Sequence, residues 1–565
     1  MKYVRYAFAV TAMCVLALAP QLDASARAVR AAVNQTPPTN YQVNPPDPGP
    51  QSPYTDDFPQ NFQMEPSIAR DPVTGAFIAG SMDYTDEALC VDNGTGTIGG
   101  TTYDSGACGT SFPYTGIDSV YRSQDGQMWS QINSTDGATS STGPCTAATH
   151  TLPGYCAAGL ASGYDVQIAF GPKPKLSGPG FTWGHGGRAY YANLPLQLNS
   201  GYPGPAVAVS RSDDDGASWM APVVLPSTTP HTIVNDKDGL WVDANAASPC
   251  FGDAYMAWDL SLDSGKTQQV AFSSSSNGGS TWTPYITLLQ QTTTLSPGPV
   301  IRSLPDGTVV VAWEDTGTVG GKVVGVMRDV TLTGCGSVEG TPVDIATFTG
   351  VPGNLPGTRF LLSNFPSMAT DTASDTFLAW LDYDTYNHIS ALRFSKSTDG
   401  GQTWATPVTV SNQYRAAIFP AIAVTPSGGQ VLIEYQSVTV KSNTPGPGSA
   451  LIQNVYVRSL NGGSNWIAYQ LSPSAVDVDG SSDPSLARQR LGDYTSLIVT
   501  SYKAQLMAYA IWTDPHNAVS CPLVDQYRAA VAAHQAASRP DPDVLSQCPA
   551  GFGNTDIYDA VIPLH

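Results

Sequence analysis

The stretch Ser397-Thr398-Asp399-Gly400-Gly401-Gln402-Thr403-Trp404 limits what this chain can fold into more than any other, because it recurs. Ser212 to Trp219 keeps Asp214, Gly216 and Trp219 in register, and Ser275 to Trp282 and Ser459 to Trp466 carry Asn in place of the Asp. A shorter copy runs from Ser123 to Trp129. Ser, Asp and Gly at this spacing are turn chemistry: the short polar side chain takes up backbone N–H groups and Gly accepts a positive φ. The Trp then packs back over the turn and buries a large apolar area. One copy predicts a turn. Five, each after an alternating apolar run, predict a repeat architecture.

A second repeat is independent of the first. Segments 65–83, 165–194, 237–259, 298–315, 365–382, 419–436 and 492–514 each start near Pro or Asp, pass through a turn and end in Trp-x-Asp or similar. A third apolar run follows each one, as in DSVYRS, AVAVSRS and ALRFSKS. The box-like turn closes five of these runs; Val324 to Gly336 and the C-terminal copy lack it. Seven strand–turn–strand–strand units predict an all-β propeller of four-stranded blades, seven in number, with six as the alternative. A chain of 565 residues with 54 Gly and 45 Pro is too long for one ordinary core and suits a ring of small sheets.

Residues 1–26 read as a secretory signal, with Lys2 and Arg5 before the apolar Ala7 to Ala19 and a small-residue site at Ala24-Ser25-Ala26. No segment is long and apolar enough to predict membrane insertion. Residues 27–55 are a Pro-rich lead-in, part of which, Tyr41 to Val43, is expected to supply the strand that closes the ring, and 56–565 are the propeller. Outside the signal are eight cysteines, an even count that reads as disulfides in an exported chain. Sequence order suggests Cys90–Cys108, Cys145–Cys156, Cys250–Cys335 and Cys521–Cys548 among the 105 pairings open to four bridges. A formal charge of −20 argues against a nucleic-acid partner. Extracellular or periplasmic secretion is the resulting expectation, and a closed ring with few exposed edges is expected to be monomeric.

In an up-and-down blade the first-to-second and third-to-fourth turns share one face of the ring. The second-to-third loops and the blade connectors share the other, and nearly every insertion falls there: 84–117, 130–163, 341–364, 437–452, 468–490 and 515–555. Long loops gathered on one face of a rigid scaffold are where binding concentrates. Asp83, Asp259, Glu314, Asp315, Asp382, Glu434 and Asp514 follow second strands and should ring the channel mouth on that face. Glu65, Asp165, Asp236, Lys237, Asp238, Arg359, Arg415, Arg488, Arg490, Asp493 and Tyr494 precede first strands and should join them. The repeated strand-end carboxylates also suit turn capping. As a set they could bind a structural Ca²⁺, although no D-x-D-x-D-G loop is present. No His or Cys spacing suggests zinc.

The box repeats resemble the Asp-box (BNR) repeats of the sialidase-like β-propellers, a resemblance that covers residues 56–565. It implies that each box joins the third and fourth strands of a blade, on the face opposite an active site. Gly492-Asp493-Tyr494-Thr495-Ser496-Leu497 is similar to the G-Y-S-S-L-like stretch that carries the sialidase nucleophile. The resemblance therefore implies Tyr494 as nucleophile, Glu434 as its base and Arg359 and Arg415 as clamps for a substrate carboxylate. Asp493 joins the catalytic candidates, and Arg490, Asp382 and Asp259 the substrate-binding ones. Two departures stand out. Phe62-Gln63-Met64-Glu65-Pro66 lacks the arginine of the family's F-R-I-P motif, and Asp493 is inserted in the tyrosine stretch. The expectation is a secreted, exo-acting, sialidase-like glycoside hydrolase needing no cofactor, with a glycan or glycoconjugate as partner; the alternative is a non-catalytic propeller that binds a glycan or protein.

Overall fold

The computed structural model describes residues 29–31, 36–46, 61–84, 94–98, 101–105, 118–132, 152–155, 158, 160–197, 202–203, 207–225, 234–262, 266–291, 296–319, 322–360, 362–483, 486–533, 542 and 544–564. They form seven four-stranded antiparallel blades around one axis. Blade 1 runs outward through Gln63–Arg70, Phe77–Asp83, Asp118–Ser123 and Trp129–Gln131. Blade 2 is Leu160–Gly171, Arg188–Gln197, Ala208–Ser212 and Met220–Val224. Blade 3 is Val234–Val242, Ala254–Leu262, Thr267–Ser275 and Ile286–Gln291. Blade 4 is Val300–Ser303, Val309–Val319, Lys322–Leu332 and Val343–Thr349. Blade 5 is Ser367–Thr370, Thr376–Asp384, Ile389–Ser397 and Val408–Thr409. Blade 6 is Ala416–Val424, Val431–Val440, Ala450–Ser459 and Ile467–Gln470.

Blade 7 is made from both ends of the chain. Ser496–Tyr502, Gln505–Asp514 and Asp556–Pro563 are joined on the outside by Asn40–Gln42, with Tyr41 opposite Asp559. The lead-in thus belongs partly to the propeller. The absence of a box from the last repeat now has a physical cause: its fourth strand comes from the other end of the chain, so no third-to-fourth turn exists. Asn44 completes the closure. Its amide donates to Asp556 Oδ1 at 2.9 Å and to Gln63 Oε1 at 3.1 Å, and its carbonyl oxygen accepts from the Ile557 amide at 2.8 Å.

Each blade buries both faces against its neighbours, which is why the second strands read as nearly continuous apolar runs rather than alternating ones. Trp258, Trp313, Trp380 and Trp512, the tryptophans of the strand-end repeat, are almost wholly buried in blades 3, 4, 5 and 7. A tryptophan so placed is worth roughly 3–5 kcal/mol against alanine. Among the described residues, seven apolar clusters lie one in each seam between adjacent blades.

The box turns staple those seams. Ser397 Oγ accepts from the Gly401 amide at 2.8 Å, and Asp399 Oδ1 from the Thr403 amide at 2.8 Å. The Asn copies keep the same acceptor: Asn277 and Asn461 Oδ1 take the Thr281 and Asn465 amides at 2.9 Å. Asp and Asn therefore interchange because only the acceptor oxygen is needed. Each box glycine is pressed onto the preceding blade. A Cβ on Gly401 (φ 93°) would lie 2.5 Å from Asp329, and one on Gly216 would lie 2.4 Å from Ile78. Trp404 Nε1 adds a bond to Asp329 Oδ1 at 3.1 Å.

Blade 4, which has no box, carries a disulfide at this place. Cys335 in its third-to-fourth turn bonds Cys250 in the first-to-second turn of blade 3, and Gly336 (φ 82°) presses on Phe272. Cys521–Cys548 is the second observed bridge; it encloses the helix Pro522–Ala532. The proposed pairs Cys90–Cys108 and Cys145–Cys156, and the signal, fall outside the described residues. Among the described residues no helix is long and apolar enough to cross a membrane.

A charged mouth at the head of the axial channel

The inner strands do not enter the ring smoothly. At the mouth face the pairing slips by a residue between Met64 and Ser67, between Asp236 and Asp238 and between Ile418 and Ala421, with a matching irregularity opposite Ala192–Leu194. At each slip one residue adopts a left-handed backbone: Glu65 (φ 58°), Lys237 (φ 33°), Phe419 (φ 52°) and Asp165 (φ 57°). A bulge of this kind re-aims one side chain out of the strand's alternation, and such strained residues collect at functional sites. Three of the four are charged.

These charges meet the approach to blade 7. Arg490 Nη2 donates to Glu65 Oε1 at 2.9 Å and to Asp493 Oδ2 at 3.2 Å, and its Nη1 reaches Asp493 Oδ1 at 3.4 Å. Gly492 (φ 86°) permits this approach, since a Cβ there would lie 2.5 Å from Glu65 Cγ. The Lys237 ammonium lies 4.0 Å from the centroid of the Tyr494 ring and 5.9 Å from that of Phe365, and so spans blades 3, 5 and 7. Asp236 accepts the Lys237 amide at 3.0 Å and shares a side-chain hydrogen bond with Asp165.

Burial divides the cluster into supports and working groups. Glu65, Asp165, Lys237 and Asp238 are buried. Asp236 faces solvent, and Arg490 and Asp493 keep 21% and 26% of their side-chain exposure. Burial holds the Glu65 carboxyl well above the usual range despite the Arg490 guanidinium, and does the same to Asp238. Loss of hydration among its neighbours, and then the charges of Asp165 and Asp493, push Asp236 up to about 7. A carboxyl of this kind exchanges its proton near neutrality.

The other sequence candidates are distributed differently. Tyr494 is at the mouth, 8% exposed, and among the described residues nothing hydrogen-bonds its hydroxyl. Burial and then the Asp165, Glu65 and Asp238 carboxylates raise its pKa well above the ordinary value. Glu434 is fully buried in blade 6 beside Thr495, and burial raises its carboxyl strongly. No hydrogen bond joins it to Tyr494. Asp259 accepts from Ser296 and from the Gly298 amide at 3.1 Å, so it fastens the connector between blades 3 and 4. Asp382 accepts the Thr349 amide at 2.9 Å and lies 3.8 Å from Arg393.

Arg359 reaches the Pro445 carbonyl at 3.4 Å, its amide is held by Gln489 at 2.8 Å, and Arg415 is exposed on the connector to blade 6. Arg70 faces away from the mouth, stacked over Phe77 and Tyr502 at 4.5 and 4.6 Å. Of the arginines expected at the mouth, Arg490 alone among the described residues joins the cluster. Glu65, Asp165, Asp236 and Lys237 were legible as mouth residues, but the bulges that give them their roles were not.

No protein-family model and no curated protein matches this sequence. Solved structures similar to this chain include an α-L-arabinanase of Penicillium chrysogenum, 13% identical over 71% of this chain and 94% of that one, with a TM-score of 0.40. An α-L-arabinofuranosidase of Fusarium graminearum is 11% identical over 74% of this chain and 97% of that one (TM-score 0.39). A Hadza microbial sialidase is 12% identical over 69% and 65% (TM-score 0.39). The chemistry of the mouth is read from its own residues.

Proposed function

We propose that this protein is a secreted glycoside hydrolase acting on uncharged sugar residues bound at the mouth on the long-loop face. The observation that carries this reading is Asp236, a solvent-facing carboxyl hydrogen-bonded to buried Asp165 and within the field of Asp493, in a mouth where Arg490 links Asp493 to Glu65. Asp236 gives its proton to the glycosidic oxygen as the bond from that oxygen to the anomeric carbon breaks. The Asp493 carboxylate faces the positive charge that develops on the sugar and takes a proton from the water whose oxygen bonds to the anomeric carbon, and exchange with solvent then returns a proton to Asp236.

Charge supports a neutral substrate. Burial holds Glu65, Asp165 and Asp238 toward their neutral forms, and Arg490 is already engaged by Glu65 and Asp493. Held in this way, Arg490 is not free to take a sialic acid carboxylate, whereas hydroxyl groups suit carboxylate acceptors. Tyr494, under the Lys237 ammonium, serves as a wall of the site.

The test is hydrolysis of a panel of fluorogenic glycosides of neutral sugars, with an α-sialoside for comparison. We expect cleavage of a neutral member and not of the sialoside, with Asp236→Asn slower by about 10²–10⁴-fold and Tyr494→Phe within about threefold of wild type, less than ~1 kcal/mol of barrier. Sialoside cleavage lost in Tyr494→Phe would overturn the reading in favour of a tyrosine nucleophile. Binding of glycans without turnover would leave a recognition propeller.

A further inference from the structure

The mouth chemistry does not use the cation at the far end of the channel. An axial cavity of about 110 Å³ lies between the inner strands of all seven blades, continuous with the mouth, whose Lys237, Asp238, Asp493 and Tyr494 also line it. Arg302, near the box-turn end of blade 4's inner strand, lines it. Its guanidinium is stacked 4.5 Å from the Trp241 ring centroid, and its Nη1 donates to the Ile301 carbonyl at 2.6 Å. Among the described residues no carboxylate pairs with it, and burial alone acts on it, pushing its pKa down to about 10. Arg188, Arg328, Arg393 and Arg490, by contrast, each have a carboxylate partner.

For a partly enclosed cation without a counter-charge, removal from water is costly unless an anion compensates. The cavity also offers neutral donors. Ser67 and Ser367 line it, and their oxygens accept the Ile168 and Ile422 amides at 3.0 and 3.1 Å, which leaves both hydroxyl protons free to donate elsewhere. The inner strands are the axial edges of their sheets and turn unpaired backbone groups toward the channel.

We propose that this cavity binds one small oxyanion, held by the Arg302 guanidinium and the Ser67 and Ser367 hydroxyls. A planar guanidinium fixed by an aromatic face is suited to two parallel bonds with such a group. The bound ligand bridges blades 1, 4 and 5.

Equilibrium dialysis with labelled inorganic phosphate in a chloride-free buffer tests this. We expect about one phosphate per chain, competed by sulfate or acetate, with Arg302→Gln weaker by about tenfold or more, ~1.4 kcal/mol. Stronger competition by acetate identifies a small carboxylic acid as the ligand; stronger competition by sulfate identifies an inorganic one. Arg302→Lys, which keeps the charge and loses the fork, should fall between the two. No phosphate bound by wild type at millimolar concentration, or binding undiminished in both variants, overturns the proposal.

Discussion

At the scale of single residues, the mouth depends on backbone strain as much as on charge. Glu65, Asp165 and Lys237 would point along their strands' ordinary alternation without the bulges; with them, the three converge on Arg490, Asp493 and Tyr494. Gly492 belongs to the same device. Gly492→Ala would drive a methyl against Glu65 and break the Glu65–Arg490 contact, and we expect it to lower kcat/KM by about 10²-fold, as small misplacements of catalytic groups do. Unchanged kcat/KM in a folded variant would show that the contact is not needed. The listing of charged residues at the mouth was legible from the repeat, because strand ends fall in register. Their partners were not. A slip of one residue in an inner strand leaves no mark on the hydrophobic pattern, and of the arginines that resemblance assigned to a carboxylate clamp, Arg359 is directed by a loop contact that no repeat encodes and Arg415 is exposed on a connector.

At the scale of the element, the box turn is a seam fastener, and its parts should fail in a predictable order. Ser397→Ala removes one buried acceptor for the Gly401 amide and should cost about 1–2 kcal/mol in denaturant unfolding. Gly401→Ala adds a methyl at φ 93° against Asp329 of the preceding blade and should cost more, about 2–4 kcal/mol. Equal losses would mean that the seam contact contributes little. This element was the most legible part of the chain. The acceptor oxygen, the glycine and the tryptophan are all local, so five copies could be read directly. Blade 4 was the exception: sequence order paired Cys250 with Cys335, 85 residues apart, but no local pattern showed that this bridge stands where a box would.

At the scale of the whole molecule, two features govern stability. Closure rests on Asn40–Gln42 and Asn44, so Asn44→Ala, which removes bonds to Asp556, Gln63 and Ile557 together, should cost about 2–4 kcal/mol and lower the melting temperature. The second is an excess of buried carboxyls. Glu314 and Asp329 are each pushed up to about 8 by burial. In the unfolded chain they lose their protons near pH 4, so between about pH 4 and 8 the native state holds more protons and stability falls as pH rises. The box carboxylates of Asp214 and Asp399 are shifted downward by their turn hydrogen bonds, and their contribution is lost only as pH falls below about 4. Stability should therefore be greatest in mild acid, and Glu314→Gln should flatten its decline toward pH 8. A melting temperature that rises from pH 5 to 8 would contradict this.

The measurement that bears most directly on the central claim is the pH dependence of kcat/KM on a neutral fluorogenic glycoside, for wild type beside Asp236→Asn. With Asp236 as proton donor, activity falls as pH rises through about 7, and the variant loses both the rate and that descending limb. A descending limb that persists in Asp236→Asn at near wild-type rate would remove Asp236 from the chemistry and with it the proposed site.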